Sequence, residues 1–416
     1  MSEQTILYLL LGITTFDFVF DKFLSYLNNQ NRKLPIPDAL QGIYDDEQYK
    51  KSQEYHQVRD RFSMWTSSLS FVIAMCMLYF GVFGRLDGWL RGIAPLDLVA
   101  SLYFFGVLYF ASDILTIPFQ LYSTFVIEEK FGFNKTTPKT FITDKLKGYL
   151  LTIIIGGLIL AVLIWLVFSM GTDFWVYFWV IISVLMIFIN MFYTSLIVPI
   201  FNKLTPLEDG ELKSAIEDYA SKVLFPLTNV FVIDGSKRSS KGNAFFSGFG
   251  NKKKVVLYDT LIEKHSTDEL VAVLAHEVGH YKKKHIVWSM IFSILQTGAM
   301  LYLLSLMIFN SEVSFAMGGA TTAMHLNILA FGILFSPISK VTGLLMNIFS
   351  RKNEYEADAY AATTYDNKPL ISALKKLTSD SLGNLTPHPW YVFFNYSHPS
   401  LGQRIEAMER AASTTN

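Results

Sequence analysis

The segment His276-Glu277-Val278-Gly279-His280 sets two imidazoles four residues apart. On a helix that spacing puts both rings on one face, one turn apart, where they can share a metal ion. Glu277 points near the same opening, and its carboxylate can take a proton from water that the ion has activated. Such a group is a general base, and the chemistry is metal-assisted hydrolysis. A metal held only for structure has no use for it. Gly279 lowers helix stability by up to about 1 kcal/mol against Ala, which is tolerable where something must approach the helix closely. The plainer reading of the same residues is a solvated surface pair.

A tetrahedral hydrolytic centre takes a third protein ligand and leaves its fourth position to water. The run Arg351 to Tyr360 (RKNEYEADAY) is helical in composition and sets Glu354 and Asp358 one turn apart on one face. Two like charges so placed repel unless a cation or donor lies between them. Glu354 as ligand and Asp358 as an acceptor steadying a ligand imidazole would resolve that repulsion. An exposed acidic face beside Arg351 and Lys352 accounts for the residues equally well. Glu356 lies off that face and reads as solvated, and His285 with Lys282, Lys283 and Lys284 reads as interfacial anchoring.

The elements that must position these groups begin with a helix. Ser266-Thr267-Asp268-Glu269 has the capping-box pattern and precedes an apolar-rich run into the histidines, which predicts a helix from about Thr267. Upstream, an amphipathic helix is expected over 212–224 and a strand over 229–233. A hairpin is expected from 243–247 and 254–258 around a turn at 248–251.

The rest of the chain is too apolar for an ordinary soluble protein of 416 residues, with 51% hydrophobic and only 17% charged residues. Seven stretches reach the roughly 20 apolar residues that a bilayer crossing requires: 5–27, 64–83, 98–119, 150–170, 174–201, 286–309 and 326–349. Asp113 and Lys340 fall within two of them and either line a wet cavity or reach the interface from a span end. Lys and Arg gather after the first and third stretches, so those loops read as cytoplasmic. The polar segments 202–285 and 350–416 then share the cytoplasmic side. The 35 basic and 35 acidic residues balance, giving no reason to expect a nucleic-acid partner. Cys76, the single cysteine, stands in an apolar run and offers neither a disulfide framework nor a thiolate metal site.

HEVGH, followed by NEYEADAYA, resembles the M48 zinc metalloproteases. FVIEEKFGFNK (125–135), GSKRSSKGNAFFSGFGNKKKVVLYDTLI (235–262) and SHPSLGQRIEAM (397–408) narrow the resemblance to C-a-a-X prenyl proteases of the Ste24 type, over nearly the whole chain. The resemblance implies one Zn2+ per chain on His276, His280 and Glu354, with Glu277 as base and Asp358 orienting a ligand. It further implies that Asn243 reaches the active site and that the strand through Phe246 accepts substrate as an added strand. His398 and Arg404 would stabilise the oxyanion.

The expected fold is therefore mainly α. It is a polytopic membrane protein with seven transmembrane helices around a chamber, joined to a zincin-like metalloprotease domain with a small β-hairpin. Residues 1–201 would form a membrane region with five transmembrane helices, and 202–285 the zinc metalloprotease segment with the HEVGH helix. Two further transmembrane helices would occupy 286–349, and 350–416 would carry the third zinc ligand. The expected activity is peptide-bond hydrolysis near the C-terminus of peptide or protein substrates, including prenylated C-a-a-X sequences, at a lipid membrane. No C-terminal endoplasmic-reticulum retention signal is visible, which leaves the host membrane undecided; a prokaryotic cytoplasmic membrane is expected ahead of the endoplasmic reticulum. Alternatives are a heat-shock-type M48 quality-control protease and a non-catalytic membrane transporter or scaffold. An intramembrane protease of the site-2 type would need Leu207-Glu208-Asp209-Gly210 as its later acidic motif, but that run precedes the histidines in a polar segment and reads as a turn.

Overall fold

The computed structural model describes residues 1–94, 96–247 and 253–414. The long apolar runs are helical, as bilayer crossing demands when every backbone polar group must find its partner within the segment. The first half runs through Glu3–Asn31 (α1), Asp46–Tyr79 (α2), Val82–Ile93 (α3), Asp97–Tyr122 (α4), Pro138–Leu151 (α5), Gly157–Met170 (α6), Phe174–Leu196 (α7) and Val198–Phe201 (α8). Among the described residues, four helical stretches are long and apolar enough to cross a membrane: Asp46–Tyr79, Asp97–Glu128, Pro138–Phe201 and His285–Ser305. A fifth is added if Met324–Leu334 and Ser336–Thr364, bent by 50°, count as one span. The stretch Pro138–Phe201 contains two of the expected spans, separated by a turn at Gly171–Asp173 where Gly171 has φ 57°.

Asp113 and Lys340, which fall within apolar stretches, have partners on neighbouring helices. Asp113 accepts from Lys145 at 2.5 Å and from the Tyr149 hydroxyl. Lys340 lies 2.9 Å from Asp21 of α1, and Ser336 donates to Asp17 one turn earlier on that helix. These pairs tie α4 to α5 and α1 to the helix that later carries Glu354.

The second half is an α+β unit fused to further apolar helices. It comprises Leu204–Pro206 (β1), Glu211–Lys222 (α9), Leu227–Ile233 (β2), Ala244–Ser247 (β3), Lys253–Tyr258 (β4), Asp259–Ile262 (α10) and Thr267–Lys282 (α11). Then follow His285–Ser305 (α12), Ser311–Ala316 (α13), Met324–Leu334 (α14), Ser336–Thr364 (α15), Asn367–Asp380 (α16), Pro389–Asn395 (α17) and Leu401–Thr414 (α18). The sheet order is β1-β2-β4-β3, with β2 parallel to β4 and the outer pairs antiparallel. β3 pairs with β4 from Ala244 opposite Leu257 to Ser247 opposite Lys254, matching the expected hairpin arms; the turn at 248–251 lies outside the described residues. β3 is an edge strand.

One apolar core joins this sheet to its helices. Ile216 of α9, Val230 of β2, Leu257 of β4, Leu270 and Val278 of α11, Ala361 of α15 and Met408 of α18 are all buried within it. α11 is fixed at its start by both halves of the capping box, Ser266 Oγ accepting from the Glu269 amide and Glu269 accepting from the Ser266 amide at 2.9 Å. Glu269 also accepts from Ser372 at 2.6 Å and Lys376 at 2.8 Å of α16. Along its length α11 lies against α15 so closely that a Cβ on Gly279 would stand 2.9 Å from Ala357 Cα and 3.1 Å from its carbonyl oxygen.

Two expectations follow from this packing. Gly279→Ala must push backbone from backbone, and overpacking of that kind destabilises by roughly 1–3 kcal/mol; thermal unfolding of the detergent-solubilised chain reads it, and an unchanged midpoint would refute the close approach. Ser266→Ala costs about 1 kcal/mol through the lost cap, and Glu269→Ala costs more because α16 loses its anchor. Burial raises the Glu269 carboxyl, but hydrogen bonds from Lys376, Ser372 and the Ser266 amide outweigh it and hold the carboxyl below its ordinary value. Its contribution is therefore present above about pH 4.3 and is lost as the pH falls through the lower folded value. The destabilisation from Glu269→Ala shrinks correspondingly in acid.

Candidate active site and metal centre

Three side chains from two helices converge where α11 crosses α15. One ligand-capable atom from each of His276, His280 and Glu354 falls within 4.8 Å of the others. The two Nε2 atoms are 3.1 Å apart, Glu354 Oε2 is 3.5 Å from His276 Nε2, and Glu354 Oε1 is 3.3 Å from His280 Nε2. A tetrahedral zinc ion with bonds of about 2.0–2.2 Å sets its ligand atoms roughly 3.3 Å apart, and these contacts, which fall on two different oxygens of Glu354, are of that size. Glu354 Oε2 is moreover a buried oxygen without a hydrogen-bond partner. Its ion-pair contacts to Arg404 Nη1 and His276 Nε2 stay at 3.5 Å, and a buried carboxylate oxygen held so loosely favours a closer cation.

The electrostatics point the same way. Burial works against ionisation of Glu354, yet hydrogen bonds from His276 and His280 and the charge on Arg404 hold it well below the usual carboxylate range. Burial pulls the His276 imidazole down, but Asp358 and Glu354 reverse this and push it up to about 9. A site that draws a proton onto a buried imidazole draws a metal cation in its place, and the metal must displace that proton.

Asp358 lies behind the histidines, its Oδ1 2.8 Å from His276 Nδ1. Accepting that proton leaves His276 Nε2 with its lone pair turned toward Glu354. Arg404 grips Asp358 with both arms, Nε to Oδ2 at 2.8 Å and Nη2 to Oδ1 at 2.6 Å, while its Nη1 is 3.5 Å from Glu354 Oε2. The guanidinium thus contacts both carboxylates from α18.

Glu277 faces a cleft that Asn243, His276, Glu354, His398 and Arg404 also line. Burial raises its carboxyl, with His276 and His280 opposing the rise. Opposite stands an apolar wall of Leu261, Val273, Leu370, Leu374 and Leu377. Asn243 closes its own amide oxygen onto the Ala244 amide at 2.9 Å and sits at the head of the edge strand β3. His398 is 61% exposed in its side chain, with Nε2 3.3 Å from Glu354 Oε1 and Nδ1 2.9 Å from Ser397 Oγ. All eight residues singled out from the sequence are therefore brought together.

Three others belong to the same assembly and were read differently from the sequence. His285 Nδ1 is 2.9 Å from His280 Nδ1, and Glu356 Oε2 is 3.2 Å from His285 Nε2. Glu356 is thus paired rather than merely solvated. Arg351 donates to the Tyr396 carbonyl at 2.6 Å and to those of Val392 and Phe393, pinning the segment that presents His398. The Arg351 signal was its place one turn before Glu354; the others lacked one, because their contacts depend on a chain reversal.

Comparison with known proteins covers nearly the whole chain. Residues 25–203 match the family described as CAAX prenyl protease N-terminal, five membrane helices, and residues 206–412 match peptidase family M48. CAAX prenyl protease 1 of Saccharomyces cerevisiae is 35% identical, covering 96% of this chain and 94% of the relative. The human CAAX prenyl protease 1 homolog is 33% identical, covering 90% of this chain and 88% of its own. The crystal structure of S. mikatae Ste24p superposes with a TM-score of 0.92 at 34% identity, over 97% of this chain and 99% of that one. With sequence and fold agreeing from end to end, this chain belongs to the M48 metalloproteases, in the branch of the membrane-helical CAAX prenyl proteases.

Proposed function

We propose that the chain is a zinc endopeptidase that hydrolyses peptide bonds near the C-terminus of C-a-a-X substrates, with prenylated chains as its preferred class. The observation that carries the proposal is the convergence of His276, His280 and Glu354 within 4.8 Å of one another beside Glu277, in a cleft that Asn243 also lines at the head of the edge strand. His276, His280 and Glu354 would hold one zinc ion. That ion supplies Lewis-acid polarisation of the scissile carbonyl and lowers the pKa of its water toward ~7.

The remaining chemistry belongs to side chains. The substrate backbone adds to β3, an edge strand among the described residues, which aligns its carbonyl with Glu277. Asn243, at the head of that strand, holds the substrate backbone at the entrance to the cleft. Glu277 removes a proton from the attacking water and returns it to the leaving amine. A carboxyl raised by burial suits both transfers. His398, exposed to the cleft beside Glu354, donates to the oxyanion as it forms. Arg404 acts through Asp358 and Glu354 as a positioning residue, since both of its arms on one edge are already committed.

For the membrane region we propose seven spans around a chamber, the four to five clearly apolar stretches being supplemented by α1 and by division of Pro138–Phe201 at Gly171. The proposed partition is 1–201, 202–285, 286–349 and 350–416. The basic loops support a cytoplasmic placement of the catalytic segments. A prokaryotic cytoplasmic membrane is the finer reading of location; the relatives named above are eukaryotic and lend that part no support.

Two measurements test the enzyme. Glu277→Gln should retain stoichiometric zinc by elemental analysis while peptide cleavage falls by about 10²–10⁴-fold; cleavage at the wild-type rate would remove Glu277 from the mechanism. A farnesylated C-a-a-X peptide should be cut faster than the same peptide unmodified. Equal rates would turn the reading toward general degradation of membrane-associated chains.

A further inference from the structure

The geometry points to His285 and Glu356 as positioning residues that fix the tautomer and aim of His280; the inference rests on the metal centre proposed above. A histidine that ligates through Nε2 carries its proton on Nδ1, and that proton needs an acceptor. His276 has Asp358. Among the described residues, no carboxylate lies at that distance from His280 Nδ1, which instead meets His285 Nδ1 at 2.9 Å. Two facing imidazole nitrogens form a hydrogen bond only if one of them is a lone pair.

Glu356 decides which. Its Oε2 lies 3.2 Å from His285 Nε2, and an ionised carboxylate only accepts. His285 must therefore donate from Nε2, which leaves its Nδ1 as the lone pair. His280 donates into that lone pair, and its own Nε2 is left unprotonated and turned toward His276 and Glu354. One directional chain runs from ligand to imidazole to carboxylate, with Lys352 3.7 Å beyond Glu356.

This contact is not a by-product of helix continuation. Five residues further along an unbroken helix, His285 would lie about 140° around the axis from His280. The helix instead stops at Lys282, and Lys284 takes a left-handed conformation at φ 58°, ψ 30°, which a residue with a Cβ adopts only under constraint. The reversal returns the first residue of α12 against α11, with the two imidazole centroids 5.0 Å apart and His285 only 5% exposed. Interfacial anchoring, expected of His285 from the sequence, would have left it in the headgroup region.

The test uses the full chain in detergent and reads zinc affinity by chelator competition, with the visible spectrum of the cobalt-loaded protein as a second signal. His285→Leu should weaken zinc binding by about 10- to 100-fold and alter the cobalt spectrum. His285→Asn, which keeps an acceptor near the Nδ1 position, should recover most of that loss; Glu356→Leu should weaken binding and Glu356→Gln should do so less. Wild-type affinity in His285→Leu, or equal losses in the Leu and Asn variants, would overturn the relay. If the wild-type chain itself holds no zinc, the metal centre fails and the relay with it; if it holds zinc and His285→Leu is unchanged, the relay alone fails.

Discussion

The close crossing of α11 and α15 governs everything that the site can do. Two imidazoles from one helix reach a carboxylate from another only if the axes come near enough for side chains of ordinary length to meet. Gly279 sits at that crossing, one residue before His280, where a Cβ would press on Ala357. The same absence of a side chain that weakens the helix by about 1 kcal/mol lets Glu354, three residues before Ala357, come within 3.5 Å of both histidine Nε2 atoms. The loss in local helix propensity is the condition for the tertiary contact.

That crossing also concentrates charge. Glu354, Asp358 and Arg404 are each at most 8% exposed, and buried charges are stable only when fully paired. Asp358 is satisfied by Arg404 and His276 together. Glu354 is held less tightly, since its Oε2 makes no hydrogen bond and meets Arg404 Nη1 and His276 Nε2 only at 3.5 Å. The protein has thus placed a cation behind one carboxylate and left room for another in front of its neighbour. Removing Arg404 would leave Asp358 with an uncompensated charge and loosen His276, which is why a residue from the last helix matters to a centre built on two others.

The legible parts of this arrangement were those written in local spacing. The i, i+4 histidines, the capping box at Ser266, the hairpin arms and the one-turn separation of Glu354 from Asp358 each depend on a few consecutive residues, and each has its expected form. What was illegible depended on chain reversal or on partners far away in sequence. His285 looked like an anchor because helical periodicity, extended through Lys283, turns it away from His280; nothing in the composition announces a left-handed Lys284. Glu356 looked solvated because its partner is 71 residues away. Arg404 read as an oxyanion donor from its motif, and its contacts to Asp358 and Glu354, which depend on partners 46 and 50 residues away, support the positioning role proposed for it. The short β1 and the parallel pairing of β2 with β4 escaped notice because a three-residue strand carries too little alternation to be recognised.

The helix that supplies Glu354 and the helix that follows the histidines both extend into the apolar region. α15 runs as one helix of 29 residues from Ser336, beside Asp17 of α1, through Glu354 and Asp358. At about 1.5 Å per residue, Glu354 stands roughly 27 Å along the axis from its start, so a tilt of the bundle at one end is carried to the centre as a displacement. α12, the next apolar helix, begins at His285 immediately after the left-handed turn that presses it against His280. Both the carboxylate and the tautomer-setting imidazole are thereby mounted on apolar helices, while the histidines themselves sit on a helix packed into the α+β core. The metal geometry therefore depends on how α15, set beside α1 at one end, packs at the other into the core it shares with α11.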